Sequence, residues 1–156
     1  MSLLAFFQWC EATRIGATIR GSVVLFPVIE SVHLVALALI GGAVIVVDLR
    51  FLGYGLTHLP LRRVARNASP WLIGGVTVMF LTGIPLFLSE ATKCYFSPAF
   101  WVKMAALAAA ILFSVTVRSR VAAADRAGPA SLKLTGLVSL CLWLTVGVAG
   151  RVIGFY

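Results

Sequence analysis

Glu30, His33, Glu90, Tyr95, Lys103 and Arg151 are the side chains of this sequence whose types and spacing can do chemistry in otherwise apolar surroundings. Glu30 and His33 are three residues apart, so on a helix they share a face. A carboxylate and an imidazole held between apolar walls can exchange protons or bond to a ligand's oxygen atoms, and the imidazole can also take a metal. Lys103 supplies a cation that can compensate Glu30 or meet an acidic ligand group. Arg151 supplies another, and Glu90 and Tyr95 belong near the same rim. Two cofactors suit this set. A b-type haem would use His33 as an axial ligand, with Lys103 or Arg151 near its propionates. A quinone headgroup would bond to His33 and Glu30. Glu-x-x-His with a further glutamate also looks like half of a di-iron bundle site, but that design needs two such motifs and two more glutamates, which the chain does not supply.

The elements that must position these residues are long apolar blocks. Four qualify, at about 23–49, 71–88, 98–117 and 132–152. Of the 156 residues, 61% are hydrophobic and 12% charged, and the apolar ones come in runs too long for a soluble domain of this size to bury. A helix over the first block reaches roughly 40 Å, enough to cross a bilayer. Short alternating segments of the kind that build transmembrane barrels are missing. The predicted fold is therefore all-α: an integral membrane antiparallel four-helix bundle forming a single transmembrane domain over 1–156, with an N-terminal amphipathic interfacial helix at about 2–20. Pro27 suits a first helical turn, and Gly53 and Gly55 let the chain leave the helix. Pro85 is expected to bend the second span near its end. Asp48 lies five turns beyond Glu30, so it returns to the Glu30 face at the opposite end of the span. A polar stripe of this kind faces protein and not lipid.

The net charge of +8 invites a nucleic-acid reading, but the placement of the charges argues for a membrane surface. Arg50, Arg62, Arg63, Arg66, Arg118, Arg120, Arg126 and Lys133 fall on one side of the predicted bundle, whereas Arg14, Arg20, Lys93 and Arg151 fall on the other. The positive-inside rule makes the first side cytoplasmic, so both termini are expected in the periplasm of a bacterial inner membrane. Anionic lipid headgroups are the expected partners, and no aromatic-interleaved soluble surface offers a place for nucleic acid. A cleaved signal peptide is not expected, because no basic residue precedes the first apolar residues and Glu11 follows them. Cys10, Cys94 and Cys141 are too scattered for a metal motif; Cys10 and Cys94 share the outer side, which permits a bridge without predicting one. His58 falls in the first connection, on the side opposite His33, so the two histidines do not ligate one haem. Glu90 and Lys93 are expected to pair on a wet rim. Small-residue faces at Ala106/Ala110/Ser114 and Gly136/Ser139/Gly147 suggest close helix packing, with a homo-oligomer or other membrane subunits as the partner.

FPVIESVH, DLRFLG, TGIPLF and FWVK resemble the pattern FP-x-x-E-x-x-H, D-L-R-x-L-G, T-G-x-x-x-F and F-x-x-K of an uncharacterised family of small bacterial inner-membrane proteins. The resemblance implies a four-helix membrane protein with Glu30, His33, Asp48, Arg50, Thr82, Gly83 and Lys103 at family-like positions, and it implies no activity. A looser similarity to membrane cytochromes and copper-resistance membrane proteins implies redox or metal handling, although the histidines are too few for a two-haem wire. The leading expectation is a haem- or quinone-binding accessory component of membrane electron transfer. Proton-coupled transport or metal handling through the same buried groups, and a structural subunit held by a Glu30–Lys103 pair, are the alternatives. A Glu30/His33/Lys103 cluster, with Glu90 and Arg151 at its rim, is the geometric expectation common to all three.

Overall fold

The computed structural model describes residues 2–124 and 128–155, so Asp125 and Arg126 of the third connection lie outside the described residues. Among the described residues, four helices are long and apolar enough to cross a membrane: α3 (Leu25–Leu52), α4 (Leu61–Ser89), the third span Pro98–Ala123, and α8 (Pro129–Ile153). The protein is thus an all-helical integral membrane protein, consistent with a four-helix transmembrane bundle. The third span is compound. It comprises α6 (Pro98–Phe113), a π-helical turn (Ser114–Arg118) and α7 (Ser119–Ala123). At the other end of the bundle sit α1 (Leu3–Glu11), α2 (Arg14–Arg20) and α5 (Ala91–Phe96).

Local chemistry accounts for the boundaries. Gly53 closes α3 in the left-handed conformation, at φ 86, which a residue without Cβ adopts freely. Pro98 opens α6 and Pro129 opens α8, where their missing N–H groups cost nothing. The second long helix starts ten residues before its apolar block, at Leu61 and not at Trp71. Leu61, Val64, Ala65 and Ala68 recur at helical spacing and pack on Val47 and Phe51, so the basic RRVAR stretch is an amphipathic helix with its arginines outward, and Pro70 lies inside the helix.

The N-terminal stretch also differs from the single interfacial helix expected. Thr13 accepts a hydrogen bond from the Gly16 N–H at 3.2 Å, which starts a second helix and breaks the first at Ala12–Thr13. Both helices are tied to the α4–α5 corner. The Glu11 carboxylate accepts from the Thr92 N–H at 2.7 Å, near the start of α5, and from Arg20 at 3.0 Å, while Arg20 also donates to the Ser89 carbonyl at 3.0 Å. The hydrogen bonds to Thr92, foremost among the causes, lower the Glu11 pKa despite its partial burial. Gly16 rests directly on the Leu88 carbonyl, where a Cβ would collide. Cys10 and Cys94 share the buried cluster beneath these helices as free thiols, and burial pushes Cys94 up to about 11. Such a thiol stays protonated and inert.

The order of packing matters most for function. Helix α3 lies along both α4 and α8, and α6 lies along α8, whereas α4 and α6 do not pack along each other. Helix α7 touches α4 at one end and α5 joins α4 to α6 at the other. Between these closures the bundle is open on one side.

Candidate functional site: a basic cavity between the second and third spans

The open side holds a cavity of about 270 Å³, walled by Phe80, Gly83 and Phe87 of α4 and by Phe100 and Met104 of α6, with His33 and Lys103 as its ionisable lining. The histidine is fixed by α4. Its Nδ1 lies 2.8 Å from the Thr82 hydroxyl, and that hydroxyl donates its own proton to the Val78 carbonyl at 2.7 Å. The hydrogen-bond pattern therefore assigns the proton to Nδ1, with Thr82 as acceptor, and leaves Nε2 as a lone-pair acceptor or ligand. Gly83 makes this possible, since a Cβ there would sit 3.3 Å from the imidazole Cε1.

Lys103 reaches the cavity from α6 along α8: a Cβ on Gly150 would lie 3.5 Å from its Nζ. No carboxylate among the described residues comes within the 4.0 Å of an ion pair with it. Glu30, half-buried one turn before His33, likewise makes no ion pair, so the expected Glu30–Lys103 pair does not form. The reason is geometric: Gly150 lets the lysine stem lie against α8, and Thr82 takes the imidazole to α4.

The other expected rim residues are engaged elsewhere. Glu90 pairs with Lys93 at 3.5 Å, both half-exposed, as the sequence suggested. Tyr95 packs edge-on to Phe7 and Phe96, and its carbonyl accepts from Trp101 Nε1 at 3.1 Å. Arg151 is exposed and lies 5.2 Å over the Phe155 ring. Of the six candidates, then, His33 and Lys103 are brought together, and Thr82 and Gly83 join them.

A second polar centre lies at the opposite end. Asp48 is fully buried and accepts from Arg118 Nε at 3.1 Å. Ser139 of α8 is buried beside the same carboxylate, and its hydroxyl has no hydrogen-bond partner among the described residues. Gly136 admits α3 here, since a Cβ would lie 2.8 Å from Phe51 Cβ and 3.1 Å from the Asp48 carbonyl. The partnership of Arg118 with Asp48 escaped the reading of the sequence, although a signal existed. The first and third spans run in the same direction, and 118 − 48 equals 103 − 33, so one offset of 70 residues matches both pairs.

Family membership rests on almost the whole length, since a family model matches residues 6–156. The chain belongs to a family of unknown function, DUF6644. No curated protein and no solved structure matches this DUF6644 chain. The small-residue faces of this DUF6644 member are largely consumed within it: Ala106, Ala110, Gly136 and Ser139 are buried between its own helices. Among the described residues no three His, Cys, Asp or Glu side chains gather as a metal group, so His33 stands as a solitary imidazole.

Proposed function

We propose that the protein binds the headgroup of a lipid-soluble quinone in the His33/Lys103 cavity and serves as an accessory component of membrane electron transfer. The observation that carries this reading is an apolar cavity, open on the bundle's side, whose ionisable lining is an oriented imidazole and a lysine without a carboxylate partner among the described residues. Two bases left without an acid favour an electron-rich or acidic ligand. The Lys103 ammonium can donate to a quinone carbonyl, and His33 Nε2 can accept from a quinol hydroxyl. The aromatic walls suit a flat ring. Because the gap lies between two membrane-spanning helices, an isoprenoid tail can remain in lipid while the ring enters.

Size separates quinone from haem. At about 270 Å³ the cavity falls just below the range of roughly 300–1,000 Å³ for small-molecule sites, suited to one ring and small for a tetrapyrrole. A haem with His33 as axial ligand is the second reading. What favours it is the Nδ1–H bond to Thr82, which orients an imidazole as it would a metal ligand.

The arginines Arg62, Arg63, Arg66 and Arg118 at the Asp48 end favour a cytoplasmic location for that end, with the termini in the periplasm of a bacterial inner membrane. An accessory role also calls for a partner that passes electrons, either another copy or a different membrane subunit.

The test is a titration of the purified protein with a short-tailed benzoquinone, read by tryptophan quenching, together with a visible spectrum. Saturable binding that His33→Ala and Lys103→Ala each weaken by at least about tenfold, with no Soret band, is the expected result. Binding indifferent to both substitutions would overturn the quinone assignment, and a Soret band lost in His33→Ala would replace it with haem.

A further inference from the structure

A second concavity lies on the outer face of α3 and α4, at the Asp48 end and separate from the His33 cavity. It is an apolar groove of about 480 Å³ whose floor is small, with Ala38, Gly42 and Ala43 of α3 and Ala68 of α4. Gly42 has nothing within 4 Å of where a Cβ would stand, so the floor is open to the membrane. Leu56 forms part of the rim and holds φ 50, a conformation that non-glycine residues seldom adopt.

The groove continues along α4 into charge. Arg63, Asn67 and Trp71 follow one another at intervals of four, so they form one stripe, with Asn67 and Trp71 in the groove wall. The stripe climbs about 12 Å from Trp71 to Arg63. At its top, Arg62, Arg63 and Arg66 line a concavity of about 360 Å³. All three guanidinium-bearing residues are exposed, and none makes an ion pair among the described residues. An exposed Trp71 marks the level where acyl chains give way to headgroups.

The geometry points to a site for one anionic phospholipid, with its phosphate at Arg63 and Arg66, its ester region at Asn67 and an acyl chain in the groove over Gly42 and Ala43. The order is that of the lipid itself: charge, then an amide that can donate to ester carbonyls, then an apolar channel. An apolar peptide helix would fill the groove but would leave the arginines unanswered. A free phosphate would answer the arginines but leave the groove unused. Paired guanidinium groups suit the phosphodiester, which accepts two parallel N–H bonds.

The test is native mass spectrometry of the full chain, delipidated in mild detergent and exchanged with mixed micelles containing equal phosphatidylglycerol and phosphatidylcholine. The wild type is compared with two test variants and a charge control; the test variants are Arg63→Gln/Arg66→Gln and Gly42→Leu, whose new side chain has open space and so leaves the fold intact. The expected result is a one-to-one phosphatidylglycerol adduct that survives activation when phosphatidylcholine has left. Both variants lower its occupancy at least about tenfold, and millimolar inorganic phosphate does not displace it. Arg120→Gln/Lys133→Gln, which removes equal charge from exposed positions at the same end, leaves the adduct unchanged. An equal loss in that control shows a diffuse charge effect and overturns the proposal. So does a Gly42→Leu protein that retains the lipid, or displacement by phosphate.

Discussion

His33 with Lys103, and Asp48 with Arg118, are two polar pairs set on the same two spans at the same offset, yet only the second pair is neutralised within itself. At the Asp48 end a carboxylate with no exposed surface meets a guanidinium at 3.1 Å, and Gly136 and Phe51 close the packing around them. At the His33 end two basic groups share a cavity, and no acid among the described residues answers the lysine. The first arrangement balances its own charge through one contact, although Asp48 Oδ2 and Arg118 Nη2 are buried without a hydrogen-bond partner among the described residues, and so acts as a clamp between α3 and the third span. The second leaves charge and space together, which is what a ligand site requires. The π-helical turn at Ser114–Arg118 belongs to this contrast. It adds a residue to one turn and so rotates the rest of the span by about 100°, aiming Arg118 at Asp48, while Trp143 Nε1 donates to Ser114 at 3.4 Å at its start.

The largest effect is expected at the clamp. Asp48→Ala leaves Arg118 buried and unpaired and is predicted to cost about 3–5 kcal/mol, read by thermal or SDS unfolding in mild detergent. The double change Asp48→Leu/Arg118→Met removes both charges and should recover most of that loss; a double variant as unstable as the single one would mean that the pair does more than neutralise itself. Gly136→Val comes next. Its side chain would push α8 from Phe51 and the Asp48 carbonyl, at about 1–3 kcal/mol in the same assay.

The opposite behaviour is predicted at the His33 end. His33→Ala should cost about 1 kcal/mol or less in stability, the worth of one hydrogen bond, while it removes quinone binding. Thr82→Val should cost a similar amount, about 1 kcal/mol, since it breaks the same hydrogen bond, and should weaken binding by about tenfold, because the ring loses the partner that fixes its tautomer. The smallest effect concerns Glu11. Its folded pKa lies below the unfolded value of 4.5, so its stabilisation is fully present above that pH and is lost as pH falls through the folded value. With the Glu11 side chain 27% exposed and its partner Arg20 47% exposed, the contribution is about 1 kcal/mol at most. Glu11→Gln should therefore flatten the acid limb of a stability profile.

Much of the membrane architecture was legible because it depends on composition over long windows, which tolerates local error. The apolar blocks and the exits at Gly53, Pro98 and Pro129 required no knowledge of partners. The start of α4 was hidden because RRVAR and Pro70 read as a loop, and the Leu61/Val64/Ala68 stripe declares itself only once Val47 and Phe51 supply a surface for it. His33 and Lys103 were found as isolated polar groups in apolar runs. The assignment of their partners went astray because charge complementarity favoured Glu30, whereas the contacts are decided by glycines: Gly83 seats the imidazole on Thr82 and Gly150 seats the lysine on α8. Asp48 and Arg118 were each visible, but their pairing depends on the phase of the π-helical turn, which no hydrophobic period reveals.

Photolabelling tests the central claim most directly. An azido-benzoquinone with a short isoprenoid tail, photolysed on the protein in nanodiscs, should label peptides of α4 and α6 that wall the cavity, between Val76 and Phe87 and between Phe100 and Leu107. Excess unlabelled quinone should compete, His33→Ala should abolish the label, and Asp48→Leu/Arg118→Met should keep it. Label spread evenly over the lipid-facing helices, insensitive to competitor and to His33→Ala, would contradict the account.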